Sequence, residues 1–231
     1  MRRGFLVAGI VVSLVVLRPW LSRLISGGNG PRESLPGDDL VAATRETTHA
    51  VTIEATADEV WPWLVQLGYR RGGWYSYDRL ERLIGAGDFA EGGSARRIVP
   101  GLQSFAIGDT VALSARGGPH VAILDRGRAL VLQGRMNLIT GASAHPADRS
   151  ILVWSWAFVL VPGAGTSCRL ISRTRARFQP TSLALTSIVL DPIESAMEQR
   201  MLRTIANRAQ PSDDCDERRV VGETLTEPGA G

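Results

Sequence analysis

Residues 60–84 read VWPWLVQLGYRRGGWYSYDRLERLI and contain three of the six tryptophans and all three tyrosines of the chain. Apolar side chains recur with helical spacing on both sides of a glycine-rich hinge, which predicts two short helices. Thr56 and Glu59 have the spacing of a capping box and mark the start of the first helix, and Gly68 supplies its left-handed stop. Asp78 lies in the first turn of the second helix. The stretch contains no catalytic triad, metal-ligand spacing or phosphate loop, so it informs first on the fold.

Short segments rich in valine or leucine follow the two helices and are separated by turns that contain glycine. Together with one segment that precedes the helices, they predict an antiparallel sheet. The predicted strands are 48–54, 110–115, 120–124, 129–133, 151–161 and 167–178.

The last two predicted strands alternate strongly. One face of 151–161 carries large apolar side chains, namely Leu152, Trp154, Trp156, Phe158 and Leu160. One face of 167–178 carries arginines, namely Arg169, Arg173, Arg175 and Arg177. A charged face predicts solvent on one side of the sheet and core or cavity on the other.

A long amphipathic helix is predicted near the C-terminus. Asp191 and Pro192 have the pattern of an N-cap followed by proline at the first helical position, after an ambiguous apolar segment at 181–190. Glu194 and Glu198 lie near the start of the helix, where a negative charge complements the helix dipole. Its packed face is expected to consist of Ile193, Ala196, Met197, Met201, Ile205 and Ala209.

The order of elements predicts an α+β fold. A curved antiparallel sheet would wrap around the long C-terminal helix, with two short helices after the first strand. Such an arrangement encloses a space between helix and sheet, and that space is the natural place for a ligand.

The net charge of +3 is concentrated at the N-terminus, because five arginines precede the first acidic residue, Glu33. These arginines flank an apolar run at 4–17 and suit an anionic membrane surface better than nucleic acid, which is not expected as a partner. We expect a single-pass membrane anchor at 1–25; a signal peptide that is cleaved before secretion is the alternative. The rest divides into a linker at 26–46, a ligand-binding domain at 47–209 and a disordered tail at 210–231.

Composition also excludes some chemistry. The chain has no lysine, which excludes a lysine Schiff base and a Walker-type phosphate loop. The three histidines and two cysteines are scattered without the spacing of a metal site, so neither a metal nor another cofactor is expected.

A set of motifs distributed over 35–209 points to one superfamily. The motifs are LPGDDL (35–40), VWPWLVQLG (60–68), RGGWYSYD (71–78), GD (108–109), WSWAF (154–158), RLISRTR (169–175) and MEQRML (197–202). In these residues the chain resembles the START/polyketide cyclase-like (SRPBCC) superfamily, which has the helix-grip fold, and within it a bacterial family of membrane-anchored, largely uncharacterised proteins. The C-terminal helix of such proteins usually has a lysine-rich end, where this chain has Arg203 and Arg208.

The resemblance implies a hydrophobic cavity for a lipid-like or polycyclic small molecule. We expect ligand contacts at Trp74, Tyr75, Tyr77, Asp78, Trp154, Trp156, Phe158, Met197 and Met201, and assign no catalytic residue. The alternative is that the aromatic and methionine side chains fill the core and that Asp78 stabilises the second helix through its dipole.

Three functional hypotheses follow. The leading one is a membrane-anchored module that binds a hydrophobic small molecule or lipid in an internal cavity and needs no enzymatic activity. The second is a cyclase- or dehydrase-type enzyme on a polyketide-like substrate, with Asp78 as base and Tyr77 as its hydrogen-bonding partner. The third is a non-catalytic interaction domain. The superfamily includes carriers, cyclases, other enzymes and protein-binding regulators, so the resemblance does not choose among them.

Overall fold

The computed structural model describes residues 33–83, 85–90 and 92–210. The predicted anchor at 1–25 and nearly all of the predicted tail at 210–231 lie outside these residues. Within the described ranges, no helix is long and apolar enough to cross a membrane.

Five antiparallel strands form one open sheet in the order β1-β5-β4-β3-β2. The strands are β1 (Arg45–Ile53), β2 (His120–Asp125), β3 (Ala129–Asn137), β4 (Ile151–Pro162) and β5 (Cys168–Gln179). The first strand of the chain pairs with the last, which places His49 opposite Ser172.

The prediction of a strand at 110–115 is wrong. Thr110 makes only an isolated bridge to His120. The chain then turns tightly, because Leu113 donates its main-chain N–H to Gly117 O at 2.9 Å. Pro119, which faces this segment, has no main-chain N–H to donate, so a regular ladder cannot continue here.

In the described part of the chain, three α-helices accompany the sheet: α1 (Ala57–Val65), α2 (Asp78–Leu83) and α3 (Ser187–Ala209). The capping box of α1 is present, since Thr56 and Glu59 exchange hydrogen bonds. A 3-10 helix over Thr181–Thr186 leads directly into α3, so α3 begins before the predicted cap at Asp191 and contains Pro192. Pro192 lacks the N–H of one intrahelical hydrogen bond.

The main core lies between α1, α3 and the face of the sheet that α3 covers, which we call the inner face. Val60 and Leu64 of α1, Phe158 and Leu170 of the sheet, and Ile205 of α3 are all completely buried. Burial of each such side chain contributes about 2 kcal/mol. The apolar face predicted for β4 is the inner face, and the predicted α+β helix-grip fold is confirmed.

The opposite, outer face of the sheet carries a smaller apolar cluster, and residues 33–44 lie over it. Leu35 and Leu40 pack against this cluster, which includes Val131 and Ile171. Gly37 approaches the sheet so closely that an added Cβ would lie 2.5 Å from Val131 Cγ1. The segment predicted as a linker at 26–46 is therefore, over 33–44, a packed cover, because its two leucines find an apolar surface.

The cover also changes the environment of the arginine face. Arg173, which was predicted to face solvent, is only 3% exposed. Its guanidinium donates to Asp38 Oδ2 at 2.7 Å and to the main-chain oxygen of Glu33 at 3.0 Å. The prediction of a solvated face is wrong at this position, because the N-terminal segment supplies both the shielding and the countercharge.

Replacing Gly37 by alanine should lower the free energy of unfolding by about 2–4 kcal/mol. Both the left-handed backbone (φ 87°) and the clash with Val131 oppose an added Cβ. Urea denaturation of the full chain measures the change. The matched control is Gly165→Ala, where φ is 62° and no atom lies within 4 Å of the added Cβ. That variant should lose only about 1 kcal/mol. Equal losses would contradict close packing of the cover on Val131.

Candidate functional site

A cavity of about 430 Å³ lies between α3 and the inner face of the sheet. Its volume falls in the range of about 300–1,000 Å³ that small-molecule sites occupy. The apolar part of its lining consists of Trp74, Ala86, Leu113, Met136, Leu138, Leu152, Trp154, Trp156, Ala176, Phe178, Ile193, Met197 and Met201. The polar part consists of Arg45, Ser76, Glu81, Thr174, Asp191, Glu194 and Glu198.

Tryptophans give the cavity much of its wall. Trp74 and Trp156 stack with ring centroids 5.5 Å apart and an interplanar angle of 19°. Trp154 lies over Gly134, its cross-strand partner, where an added Cβ would come within 2.6 Å of the indole. A glycine in the middle of a strand is destabilising on its own, so its place here follows from the room that the indole needs.

Glu198 of α3 is the most deeply buried acidic group of the wall after Glu81. Its Oε1 accepts hydrogen bonds from Ser172 Oγ and from Trp156 Nε1, the latter at 3.2 Å. Its Oε2 lies 3.4 Å from His49 Nε2. Three neighbouring strands, β1, β4 and β5, thus present one polar group each to a single carboxyl group.

Burial sets the protonation of this cluster. It raises the pKa of Glu198 to about 7, and the charge of nearby Glu194 acts in the same direction. The hydrogen bonds from Ser172 and Trp156 oppose the rise in that pKa. Burial also lowers the pKa of His49, which is therefore neutral at neutral pH. Glu198 is left as a carboxyl group that exchanges its proton near physiological pH.

A second polar contact, made of ion pairs, connects β1 to α3. Arg45 donates to Glu194 Oε2 at 2.7 Å and lies 2.8 Å from Asp191 Oδ1. Arg45 and His49 are four residues apart on β1, and Glu194 and Glu198 are four apart on α3. The two pairs therefore meet side by side across the interface between strand and helix.

Glu81 of α2 is completely buried and lines the cavity. Its Oε1 accepts from Ser76 Oγ at 2.6 Å and from Ser76 N at 3.2 Å. Burial raises its pKa, although the hydrogen bonds from Ser76 counteract the increase. Leu83 of the same helix is 82% exposed, so the short helix directs Glu81 inward and a leucine outward.

Of the nine predicted ligand contacts, the structure brings five together on the cavity wall: Trp74, Trp154, Trp156, Met197 and Met201. Phe158 lies behind the wall, packed against Trp156 with ring centroids 4.8 Å apart. Tyr75, Tyr77 and Asp78 do not line the cavity. Their contact with a ligand stays a prediction without support from this geometry.

The positions of these three residues have a local explanation. Tyr75 is 1% exposed in the core, where its hydroxyl accepts from Gln66 Nε2 at 2.8 Å and donates to the main-chain oxygen of Trp63 at 3.3 Å. Tyr77 is half exposed. Asp78 accepts from Ser94 Oγ at 2.6 Å and from Ser94 N at 3.1 Å, so its carboxylate holds the following loop against α2.

Sequence reasoning missed Glu81 and assigned Glu198 to the helix dipole. The spacing of residues 194, 198, 201 and 205 follows a helical stripe and places Glu198 on the same face as Met201 and Ile205. That stripe was a usable signal for Glu198. The sequence contains no such signal for Glu81, because the pattern of a helix of only six residues is too short to define a buried face. In the described part of the chain, no group of His, Cys, Asp and Glu could hold a metal ion.

The sequence matches no protein-family model and no curated protein. Several solved structures are similar to the chain. One is norcoclaurine synthase from Thalictrum flavum in complex with dopamine and hydroxybenzaldehyde, at 12% identity over 81% of this chain and 100% of that chain, with a TM-score of 0.36. Another is a hypothetical protein from Helicobacter pylori, at 10% identity over 80% of this chain and 99% of that chain, with a TM-score of 0.41.

A third is the di-domain ARO/CYC protein of the steffimycin biosynthetic pathway, at 13% identity over 76% of this chain and 51% of that chain, with a TM-score of 0.36. Likeness at these levels carries no information on activity. The architecture of the chain itself, five antiparallel strands covered by the long helix α3, is the helix-grip arrangement that the order of elements predicts.

Glu198→Gln should change how stability depends on pH. The folded-state pKa of Glu198, about 7, lies above its ordinary value of 4.5, so the folded protein holds a proton that the unfolded chain has released. The contribution of Glu198 to the free energy of unfolding therefore falls as pH rises through this interval, by roughly 2 kcal/mol between about pH 5 and about pH 8. The Gln variant should lack this fall.

Urea denaturation at a series of pH values measures both profiles. His49, with its lowered pKa, acts in the opposite sense below about pH 6.5, so the wild-type profile is read as a difference from the variant. Glu54→Gln, at an exposed position, is the control for the loss of one charge. Parallel wild-type and Glu198→Gln profiles would contradict burial of an ionisable Glu198.

Proposed function

We propose that this chain binds a hydrophobic small molecule in the cavity between α3 and the inner face of the sheet. The observation that carries the proposal is the cavity of about 430 Å³ with its continuous wall of tryptophan, methionine, leucine and phenylalanine side chains. An apolar ligand would gain about 25 cal/mol for each Å² of apolar surface that it buries there. A few polar groups on β1, α2 and α3 would orient it.

A lipid as the ligand and a membrane as the location are finer parts of the same proposal. They rest on the sequence of residues 1–25, with secretion after signal cleavage as the alternative. A flotation assay with liposomes, comparing the full chain with a chain that lacks 1–25, tests the anchor. Equal flotation of the two would remove this part of the proposal and leave the cavity untouched.

The binding test uses N-phenyl-1-naphthylamine, a neutral apolar molecule that fluoresces when it leaves water. The full chain should bind it saturably. Met197→Trp should weaken binding about tenfold or more, because the larger side chain occupies cavity space. Met197→Leu keeps the apolar volume and should stay within about twofold of wild type.

Absence of saturable binding would overturn the proposal. Equal affinity in wild type and Met197→Trp would also overturn it, because the probe would then bind elsewhere. Mass spectrometry of an organic extract from the purified protein provides an independent readout, in which a stoichiometric small molecule is expected.

An enzyme is the second candidate, and Glu198 is the observation that favours it. A carboxyl group with a pKa of about 7 on the wall of an apolar cavity suits a general acid–base catalyst. In a dehydration, Glu198 would protonate the hydroxyl group that leaves as water and then accept the proton lost from the adjacent carbon. The enzyme hypothesis with Asp78 as base and Tyr77 as its hydrogen-bonding partner has no support in this geometry, because neither side chain lines the cavity.

The test is a β-hydroxyketone incubated with the full chain, with loss of water followed by mass spectrometry. Glu198→Gln should reduce the rate about 100-fold or more while the affinity for N-phenyl-1-naphthylamine stays within about twofold. A turnover rate that survives in Glu198→Gln would exclude Glu198 as the acid. The interaction-domain hypothesis receives no comparable support, since Val161 is the only exposed large apolar side chain on the described strands.

A further inference from the structure

We propose that the ligand carries an amine on its apolar body and that Glu81 binds this amine. The inference deepens the proposed binding function and rests on it. It follows from the charges on the cavity wall, from the hydrogen bonds that those charges already make, and from the aromatic surface beside them.

Acidic groups dominate the polar part of the wall. Among the described residues that line the cavity, four are carboxylic acids, Glu81, Asp191, Glu194 and Glu198, and one, Arg45, is a base. The guanidinium of Arg45 is already engaged by Asp191 and Glu194 at 2.8 and 2.7 Å. A carboxylate or phosphate on the ligand would therefore meet uncompensated negative charge, which makes an anionic ligand unfavourable.

Glu81 is the acid that is least satisfied by the protein. Oε1 of Glu81 accepts two hydrogen bonds from Ser76, whereas Oε2 is buried and makes no hydrogen bond within 3.5 Å among the described residues. The main-chain N–H of Trp74 lies near enough only to favour the ionised form slightly. A buried carboxylate oxygen without a donor costs about 1–3 kcal/mol, and a ligand N–H would remove that cost.

Glu198 is a weaker candidate for the same role. Ser172 and Trp156 both donate to Oε1 of Glu198, and His49 lies 3.4 Å from its Oε2. Both oxygens of its carboxyl group therefore already lie next to polar groups of the protein. Glu81 instead lies on the short helix α2, and among the described residues its carboxyl group has only Ser76 and the main chain of Trp74 as partners.

The surroundings of Glu81 suit a cation. Trp74 lines the same cavity and stacks on Trp156, and a tryptophan face attracts an ammonium group by about 1 kcal/mol or more when water is excluded. Asp78 on the same helix adds negative charge near Glu81. Across the cavity, α3 contributes Glu194 and Glu198, and β1 contributes only the paired Arg45. An ammonium ion would thus gain a charge-assisted hydrogen bond on a wall where acidic groups outnumber basic ones.

Binding of an ammonium ligand at Glu81 is recognisable by the proton that it releases from the protein. Burial raises the pKa of Glu81, so the free protein holds a proton there to a higher pH than an exposed glutamate does. When an ammonium ligand binds to the ionised carboxylate, that proton passes to the solvent. The neutral alcohol analogue displaces no proton.

The test compares three probes that share a naphthalene body and differ in the polar end: 2-(1-naphthyl)ethylamine, 2-(1-naphthyl)ethanol and 1-naphthylacetate. Each displaces N-phenyl-1-naphthylamine from the full chain at about pH 7. The amine should bind about tenfold more tightly than the alcohol, and the carboxylate about tenfold more weakly. Calorimetry in buffers of different ionisation enthalpy, repeated at a series of pH values, should detect proton release for the amine at those pH values where the free protein holds the proton of Glu81, and none for the alcohol at any pH.

Glu81→Gln should reduce the affinity for the amine to within about twofold of that for the alcohol and leave the alcohol affinity unchanged within about twofold. Glu54→Gln removes one exposed charge outside the cavity and should keep the full preference for the amine. The wild-type probe series and the proton release need no variant, so the proposal stays testable even where Glu81→Gln folds poorly.

The outcomes separate the two proposals. Failure of all three probes to bind would overturn the proposed binding function and this inference together. Binding of the alcohol and the carboxylate as tightly as the amine would overturn this inference alone. A preference for the amine that persists in Glu81→Gln would overturn Glu81 as the group that binds it.

Discussion

The contact between α3 and β1 is the interaction on which the rest of the structure depends. Arg45 and His49 of the strand face Glu194 and Glu198 of the helix through polar contacts of 2.7 to 3.4 Å. Polar side chains that meet tip to tip hold two backbones farther apart than interdigitated apolar side chains do. The helix is packed tightly at its other end, where Met201 and Ile205 are buried in the core. The cavity lies along the polar end of this helix and extends from Asp191 to Met201, where the buried core begins.

The same contact explains why the cavity wall contains acids with raised pKa values. A carboxylate can be buried only where protons, donors or cations compensate it. Arg45 compensates Asp191 and Glu194, and Ser172 with Trp156 partly compensates Glu198. Of the acids on the cavity wall, Glu81 is the one whose carboxyl group the described residues compensate least. The polar groups that separate the helix from the sheet are thus the same groups that give the cavity wall its charge.

The sequence predicted those parts of the fold that follow from the residue pattern within a single helix or strand. Alternation in 151–161 identified the inner face, and the capping box at Thr56 identified α1, because both patterns follow from backbone geometry. The cover over 33–44 and the buried Arg173 could not be predicted, since they depend on contacts between segments more than a hundred residues apart. For the site, large aromatic and methionine side chains were found and buried carboxyl groups were not. Residue type alone places a glutamate on the surface, and the helical stripe that Glu198 shares with Met201 was the one sequence signal against that expectation.

The stretch at 60–84 contributes both to the cavity wall and to the core, and Tyr75, one of its two described non-glycine residues with a left-handed backbone, marks the change from one to the other. Tyr75 has φ 57°, a left-handed conformation that costs a non-glycine residue about 1 kcal/mol or more. Its neighbour Trp74 contributes to the cavity wall, whereas Tyr75 itself turns into the core and lies under the guanidinium of Arg208, 4.9 Å from the ring centroid. Arg208 belongs to the last turn of α3. Tyr75 therefore connects the wall of the cavity to the C-terminal end of α3, whose N-terminal half lines the same cavity. The hydrogen bonds of the Tyr75 hydroxyl with Trp63 of α1 and with Gln66, the residue after α1, hold the strained conformation in place.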